Sequence, residues 1–232
     1  ERSLGLTPKA KLVGQFVIAT VFGLVAVNVM GIAPTVEIPF VYTFDLGVLT
    51  TYFGAVEVPW LYILFVDILL MGMCNAVNLT DGLDGLAAGT VMIVMIVMAA
   101  IAYRSDMLDS AIFAAALAGA CVGFLLWNFY PAKVFMGDTG SMFFGGMVTA
   151  LAFVMDRPEL VLFFGIVYIW DAMTVVIQRI YFKATHGKRI FKMTPIHHAF
   201  ELRGWKEVKI DGFFALIAAI GVAMGIFYIC IA

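Results

Sequence analysis

Residues 86–103 read Leu-Ala-Ala-Gly-Thr-Val-Met-Ile-Val-Met-Ile-Val-Met-Ala-Ala-Ile-Ala-Tyr, a run without a single charge. As a helix it rises about 27 Å, close to the roughly 30 Å hydrocarbon layer of a bilayer. Comparable runs lie on both sides, and together they give seven expected spans: Leu12–Ile32, Pro59–Val77, Leu86–Tyr103, Ser110–Tyr130, Met142–Met155, Leu160–Phe182 and Phe213–Ala232. The fifth is short and is expected to begin earlier or to pack against a neighbour. Of the 232 residues, 63% are hydrophobic and 13% charged, against roughly 45–50% and about 25% in soluble domains. Mean hydropathy is +1.03. A soluble domain of this size has no interior able to hide so much apolar surface, and disorder or a disulfide-stapled module is excluded for the same reason. The expected fold is an all-α polytopic integral membrane protein, one membrane domain over 1–232.

Residues 34–58 interrupt the pattern with Glu37, Asp45 and Glu57 and with Pro34 and Pro39. Their alternation and Val/Thr/Tyr/Phe content predict a small hairpin at the extracytoplasmic surface. Cys74, Cys121 and Cys230 stand far apart in apolar runs and are expected to be buried free thiols rather than a zinc site or a disulfide framework.

Lys and Arg concentrate in cytoplasmic loops. With the N-terminus inside, the inner set holds Arg2, Lys9, Lys11, Lys133, Arg179, Lys183, Lys188, Arg189, Lys192, Arg203, Lys206 and Lys209, and the outer set only Arg104 and Arg157. The bias predicts a cytoplasmic N-terminus and an outer C-terminus. The inner loops 75–85, 128–141 and 183–211 then contain nearly every unusual polar motif, so a cytosol-facing site built from three loops is expected.

The first loop reads Asn75-Ala-Val-Asn78-Leu-Thr80-Asp81-Gly-Leu-Asp84-Gly85. Helical or turn backbone puts Asp81 and Asp84 on one face, at a desolvation cost that magnesium and a diphosphate would offset. The plainer alternative has Asp81 capping the next helix and Asp84 in its first turn; it accounts poorly for two acids and two Asn. The second loop, Asn128-Phe-Tyr-Pro131-Ala-Lys133-Val-Phe135-Met-Gly137-Asp138-Thr139-Gly140-Ser141, lets backbone approach a ligand at its glycines. Thr139 or Ser141 is expected to cap the following helix, whose N–H groups would face an anion, with Asp138 placed to hold a metal. Gly-Asp-Thr-Gly-Ser is equally readable as a tight turn before a span. The third loop carries Met193-Thr194-Pro195-Ile196-His197-His198-Ala199-Phe200-Glu201-Leu202, with eight basic residues in or beside it. The His pair lacks helical zinc spacing, and adjacent imidazoles are expected to diverge, one to phosphate and one structural. His186 reads as a surface residue. Asp67 and Asp171 lie within spans, where a carboxylate is a functional candidate by default; structural roles are favoured for both.

Three passages, Asn-Leu-Thr-Asp-Gly-Leu-Asp-Gly-Leu-Ala (78–87), Phe-Met-Gly-Asp-Thr-Gly-Ser (135–141) and Pro-Ile-His-His-Ala-Phe-Glu-Leu (195–202), together resemble the bacterial phospho-N-acetylmuramoyl-pentapeptide transferases. The first two are shared with the wider polyprenyl-phosphate N-acetylhexosamine-1-phosphate transferases; the third distinguishes the muramoyl branch. Two departures stand out. Ala199 replaces the family's third consecutive His. The family's additional N-terminal spans and following Asp-Asp pair have no counterpart, which predicts an N-terminally incomplete chain, the C-terminal part of a ten-span enzyme.

The resemblance implies transfer of phospho-N-acetylmuramoyl-pentapeptide from its UDP donor to undecaprenyl phosphate, with UMP released and the first lipid-linked peptidoglycan intermediate formed. It implies Mg²⁺, held by Asp138. Asp138, Asp81, Asp84 and His197 become the catalytic candidates. Asn75, Asn78, Leu79, Asn128, Lys133, Phe135, Gln178 and His198 become substrate-binding candidates, with Phe135 free to stack on uracil. A greasy groove between spans would hold the prenyl chain. The implied setting is the bacterial cytoplasmic membrane, with the site facing the cytoplasm. UDP-N-acetylmuramoyl-pentapeptide, undecaprenyl phosphate and the bilayer are the implied partners, a homodimer stays open, and no nucleic acid is expected. Two alternatives remain: a sister N-acetylglucosamine-1-phosphate transferase, and an ion-coupled transporter with a midplane site near Asp67 and Asp171.

Overall fold

The computed structural model describes residues 6–38 and 42–231. Its long helices are α1 (Pro8–Asn28), α2 (Trp60–Thr80), α3 (Leu86–Arg104), α4 (Leu108–Asn128), α5 (Gly137–Val154), α7 (Ile166–Ala184) and α9 (Glu207–Ile231), with short α6 (Leu160–Phe164) and α8 (Ile196–Glu201) between them. Thr7 caps α1, its Oγ1 accepting from Ala10 N at 3.3 Å, and Pro8 opens the first turn, where its missing N–H costs nothing.

Among the described residues five helices, α1, α2, α3, α4 and α9, are long and apolar enough to cross a membrane. The fifth and sixth expected spans are helical too, but polar residues dilute them. The fifth starts earlier than Met142, at Gly137, and so takes in Asp138, Thr139 and Ser141. The sixth is not continuous: it breaks at Gly165 into α6 and α7, and α7 carries Asp171, Gln178 and Arg179. Side chains facing outward are largely apolar, among them Ile18, Leu126, Ile180 and Phe227. A soluble surface rarely shows so much contiguous apolar area. The chain is a polytopic membrane protein.

The single expected hairpin is two. β1 (Thr35–Ile38) pairs antiparallel with β2 (Tyr42–Asp45), and β3 (Thr50–Phe53) with β4 (Val56–Pro59). Glu37 is tied to Arg157 at 2.5 Å, so the hairpins and the α5–α6 connection share one end of the bundle. Cys74 and Cys121 are buried as expected, but Cys230 is exposed on the outer face of α9.

Small residues bring the helices close. A Cβ on Gly145 of α5 would lie 2.7 Å from the Cα of Cys74 in α2. At the far end of the same pair, Phe153 meets Tyr62, Phe65 and Phe22 edge to face. Phe22 beside Phe153 and Lys11 beside Asp138 show that α1 and α5 run parallel. Connectivity then gathers the α1 N-terminus and the segments 80–86, 128–137 and 184–207 at the opposite end from the hairpins. Asp67 accepts from Thr20 Oγ1 at 3.1 Å, a bond across α1 and α2 that fits its expected structural role.

Candidate functional site

The end of α2 is the centre of the polar assembly. Asn78 and Asn75 sit on its last turns. Asn78 Nδ2 donates to Asp138 Oδ1 at 3.0 Å and to Ser141 Oγ at 2.9 Å, while Lys11 of α1 ion-pairs with the other Asp138 oxygen. Three helices thus converge on one carboxylate whose side chain is still 52% exposed. Asn75 donates to Gln15 Oε1 at 2.8 Å and braces α1 against α2. Thr139 and Ser141 do not cap α5: the helix already begins at Gly137, and Ser141 Oγ donates to Gly137 O at 2.9 Å. Asp138 itself therefore lies in the first turn, where a helix N-terminus favours an anion.

Neither acid of the first loop caps α3. Asp81 closes α2, and α3 starts after Gly85, whose φ of 80° is the left-handed conformation. Asp84 instead accepts from Ala132 N at 2.8 Å, and Asn128 accepts from Gly85 N at 3.1 Å while donating to Val134 O at 2.9 Å. These bonds stitch the first loop to the second. Burial pushes the Asp81 carboxyl up to about 6. An Asp so displaced penalises the folded state increasingly as pH rises from about 4, its ordinary value, through 6. Asp81→Asn is therefore expected to raise the melting temperature at pH 8 and leave it unchanged below pH 4, read by thermal unfolding across that range. An equal gain at every pH would remove the charge from the explanation.

His197 is fully buried and so is its partner, Asp171 of α7: the Nδ1–H donates to Asp171 Oδ2 at 2.7 Å, and the backbone N donates to Oδ1 at 3.4 Å. Asp171, expected to be merely structural, thus holds an imidazole of the third motif. The two imidazoles do not diverge. Their centroids lie 4.2 Å apart, because His198 turns back to Glu201 at 2.5 Å and both rings close over Gly82. A Cβ at Gly82 would lie 2.5 Å from His197 Nε2 and 3.3 Å from His198 Nε2. His197 Nε2 is buried and has no hydrogen-bond partner among the described residues.

Gly82 is thus the contact between the first and third motifs, and its φ is not in the left-handed region, so Ala fits the backbone. Gly82→Ala is expected to leave the fold intact but displace the imidazoles, read as shifted ¹⁵N-histidine signals at an unchanged melting temperature. Unshifted signals in the folded variant would contradict that geometry. Ala199 is 3% exposed within the main core. His186 is exposed, as expected.

The remaining candidates are placed less tightly. Phe135 is 75% exposed and Leu79 is at the surface. Lys133 lies over the Trp127 ring at 5.4 Å. Gln178 is buried, but its Oε1 accepts from Ile190 N and Phe191 N and it shares no hydrogen bond with the other candidates among the described residues. Sequence reasoning missed two participants. Lys11 was counted only for orientation, and Asp171 carried one signal, an acid inside an otherwise apolar helix.

Among the described residues no group of three or more His, Cys, Asp or Glu side chains could hold a metal ion. Asp138 offers one carboxylate. That fits a magnesium ion, which keeps several waters and takes its other ligands from substrate phosphates; it does not fit an all-protein metal cage.

Residues 3–156 match glycosyl transferase family 4. The phospho-N-acetylmuramoyl-pentapeptide-transferase of Listeria monocytogenes serotype 4b is 42% identical over 226 residues, 97% of this chain and 66% of that protein. The protein of the same name from Listeria innocua is 44% identical over 227 residues, with the same coverage. That from Bacillus pumilus is 46% identical over 211 residues, 90% of this chain and 61% of the relative. The chain thus spans just under two thirds of the length of these relatives. With its polar motifs gathered at one end of an apolar helical bundle and matching along most of its length, the chain belongs to glycosyl transferase family 4.

Proposed function

We propose that the protein to which these residues belong transfers phospho-N-acetylmuramoyl-pentapeptide from its UDP donor to undecaprenyl phosphate, releasing UMP. The observation that carries this is the convergence of the three motif loops: Asp138 bonded to Asn78, Asp84 bonded to the 128–134 segment, and His197 against Gly82. The relatives' name gives the transferred group, and the motif resemblance implies the UDP donor and the undecaprenyl phosphate acceptor. The twelve-to-two distribution of Lys and Arg supports a cytoplasmic site.

In this reading Asp138 is the magnesium ligand, and the ion, when bound, neutralises and orients the diphosphate. Lys11 and Asn78 hold the Asp138 carboxylate in place, and Lys11 supplies a positive charge for the attacking phosphate when it leaves that carboxylate. His197, its Nδ1 committed to Asp171, presents only Nε2 toward the first loop. Charged, that atom donates to a phosphoryl oxygen; neutral, it accepts a proton. Asp81, Asp84 and Asn128 shape the nucleotide side, where exposed Phe135 is free to stack on uracil. For the acceptor, an apolar cavity of about 850 Å³ runs between α1 and α5, from Lys11 and Thr139 to Val154, about 22 Å at 1.5 Å per residue. It suits a prenyl chain whose phosphate stops beside Asp138.

The test is donor choice. The full-length protein in detergent, with undecaprenyl phosphate and magnesium, is given UDP-N-acetylmuramoyl-pentapeptide or UDP-N-acetylglucosamine, and kcat/KM for nucleotide release is measured. Strong preference for the muramoyl donor is expected; preference for the glucosamine donor would move the protein to the sister transferases.

A further inference from the structure

Residues 46–56, Leu-Gly-Val-Leu-Thr-Thr-Tyr-Phe-Gly-Ala-Val, carry no charge, and no Lys or Arg occurs anywhere between Lys11 and Arg104. They run from the end of β2 through β3 and its turn into β4. An uncharged run is ordinary inside a bundle, but this one is outside. Val48, Leu49, Tyr52, Phe53 and Val56 are 45–73% exposed. β3 and β4 pair Phe53 with Val56 and Tyr52 with Glu57, so the two rings project from opposite faces of the hairpin. Neither face of the tip is covered by the described residues.

The first hairpin shows the same outward bias. Its register puts Val36, Ile38, Tyr42 and Phe44 on one face and Glu37 and Thr43 on the other. The polar face is the one turned to the bundle, where Glu37 meets Arg157. Ile38, Tyr42 and Phe44 are left exposed. A hairpin docked only on protein buries its apolar face, and this one does the reverse.

Where the hairpins are rooted decides what covers these side chains. Asn28, the last residue of α1, accepts from Glu57 N at 2.7 Å and donates to Glu57 O at 2.8 Å. β4 passes into α2 without a linker, and the Trp60 indole N–H donates to Thr51 Oγ1 at 2.9 Å. Both anchors are ends of helices long and apolar enough to span, so the root of the second hairpin lies at the edge of the hydrocarbon. Exposed Leu61, Leu64 and Ile68 form the lipid-facing stripe of α2, and Trp60 joins that stripe to the hairpin. Four-residue strands are about 13 Å long, so the tip stays near that level. Tyr and Trp favour this layer, where the ring is apolar and its O–H or N–H meets polar headgroup atoms. With no cation in the hairpins, attraction to anionic headgroups is not the driving force. We propose that the hairpins lie in the interfacial layer of the adjacent bilayer leaflet. Leu49, Tyr52 and Phe53 insert among lipid glycerol and upper acyl groups, without regard to headgroup charge. The proposal rests on the membrane-spanning helices and not on the transfer reaction.

The test is spin labelling of the full-length protein in phosphatidylcholine nanodiscs. Exposed cysteines, Cys230 among them, are replaced, and a single label is carried by Leu49→Cys, Phe53→Cys or Ser105→Cys. Ser105, in the α3–α4 connection at the same end, is an exposed polar reference. Collision rates are measured with oxygen, which concentrates in lipid, and with a neutral nickel chelate, which stays in water. Labels at 49 and 53 are expected to favour oxygen and the label at 105 the chelate, by the same margin when part of the lipid is phosphatidylglycerol. Phe53→Asp is expected to shift the label at 49 toward the chelate. Preference for the chelate at both 49 and 53 would place the tip in water and overturn the proposal. Shielding from both reagents would also overturn it: in favour of a second copy if line broadening fades on dilution with unlabelled protein, and of a different protein segment if there is no broadening. An oxygen preference that arises only with phosphatidylglycerol would overturn it in favour of headgroup binding. Nucleotide release does not enter this readout, so failure here leaves the transfer reading standing.

Discussion

Asp138→Asn in the full-length protein is expected to lower transfer by about 10³-fold with little change in thermal stability, a loss of the size seen when a group stabilising transition-state charge is removed. The amide keeps the size of the side chain and can still accept from Asn78, which now donates to Asp138 Oδ1 at 3.0 Å. What disappears is the charge that pairs with Lys11 and that a hard cation prefers over a neutral oxygen. Exposure of the carboxylate means that its loss leaves no buried group stranded. The checks are turnover over a magnesium titration and a melting curve. Turnover near wild type with an unshifted magnesium dependence would take Asp138 out of the metal site.

Asp171→Asn is expected to lower kcat by about 10²-fold or more, the usual range for a proton-handling group, with a much smaller change in KM for the donor. Asp171 lies within α7 and touches the reaction only through His197, so it is a positioning residue. Its carboxylate can only accept, which forces the His197 proton onto Nδ1 and leaves Nε2 facing Gly82. An amide can present either end and no longer fixes that tautomer. Because both side chains are fully buried, stability also falls, since a buried polar group left without its hydrogen bond costs about 1–3 kcal/mol. ¹⁵N-histidine NMR separates the two effects, with the His197 signal assigned by its loss in His197→Gln. The expected signature is a signal with protonated Nδ1 in wild type that is lost in the folded variant. A folded variant with an unchanged tautomer and unchanged kcat would show Asp171 to be structural only.

The membrane bundle was legible because an uncharged run such as 86–103 has few other fates, and helix lengths follow from bilayer thickness. The interruption at Gly165 was not, since Leu160–Phe182 is continuously apolar up to Asp171 and the break depends on how Gly165 packs against Met73 of α2. Motif loops were found by their polarity, but the bonds between them were not foreseen. Asp84 and Asn128 looked like separate ligands but lock two loops together, a pairing 43 or more residues apart that local spacing cannot reveal. His197 and His198 were expected to diverge on helical geometry, and each would on a free helix. Asp171 and Glu201 instead anchor the two Nδ1 atoms, and the rings turn toward the same glycine. Lys11 was invisible as a site residue because nothing near it in sequence is unusual; only the parallel packing of α1 and α5 brings it to Asp138.

Which nucleotide leaves tests the central claim most directly. The full-length protein is incubated with UDP-N-acetylmuramoyl-pentapeptide, undecaprenyl phosphate and magnesium, and both the nucleotide and the lipid product are identified by mass. Attack of a lipid phosphate on the sugar-bearing phosphorus gives UMP and a diphosphate-linked lipid in equal amounts, and that is the expected result. Release of UDP with a lipid bearing a single phosphate would mean transfer of the sugar alone, and would contradict a site built to bring two phosphates together at Asp138.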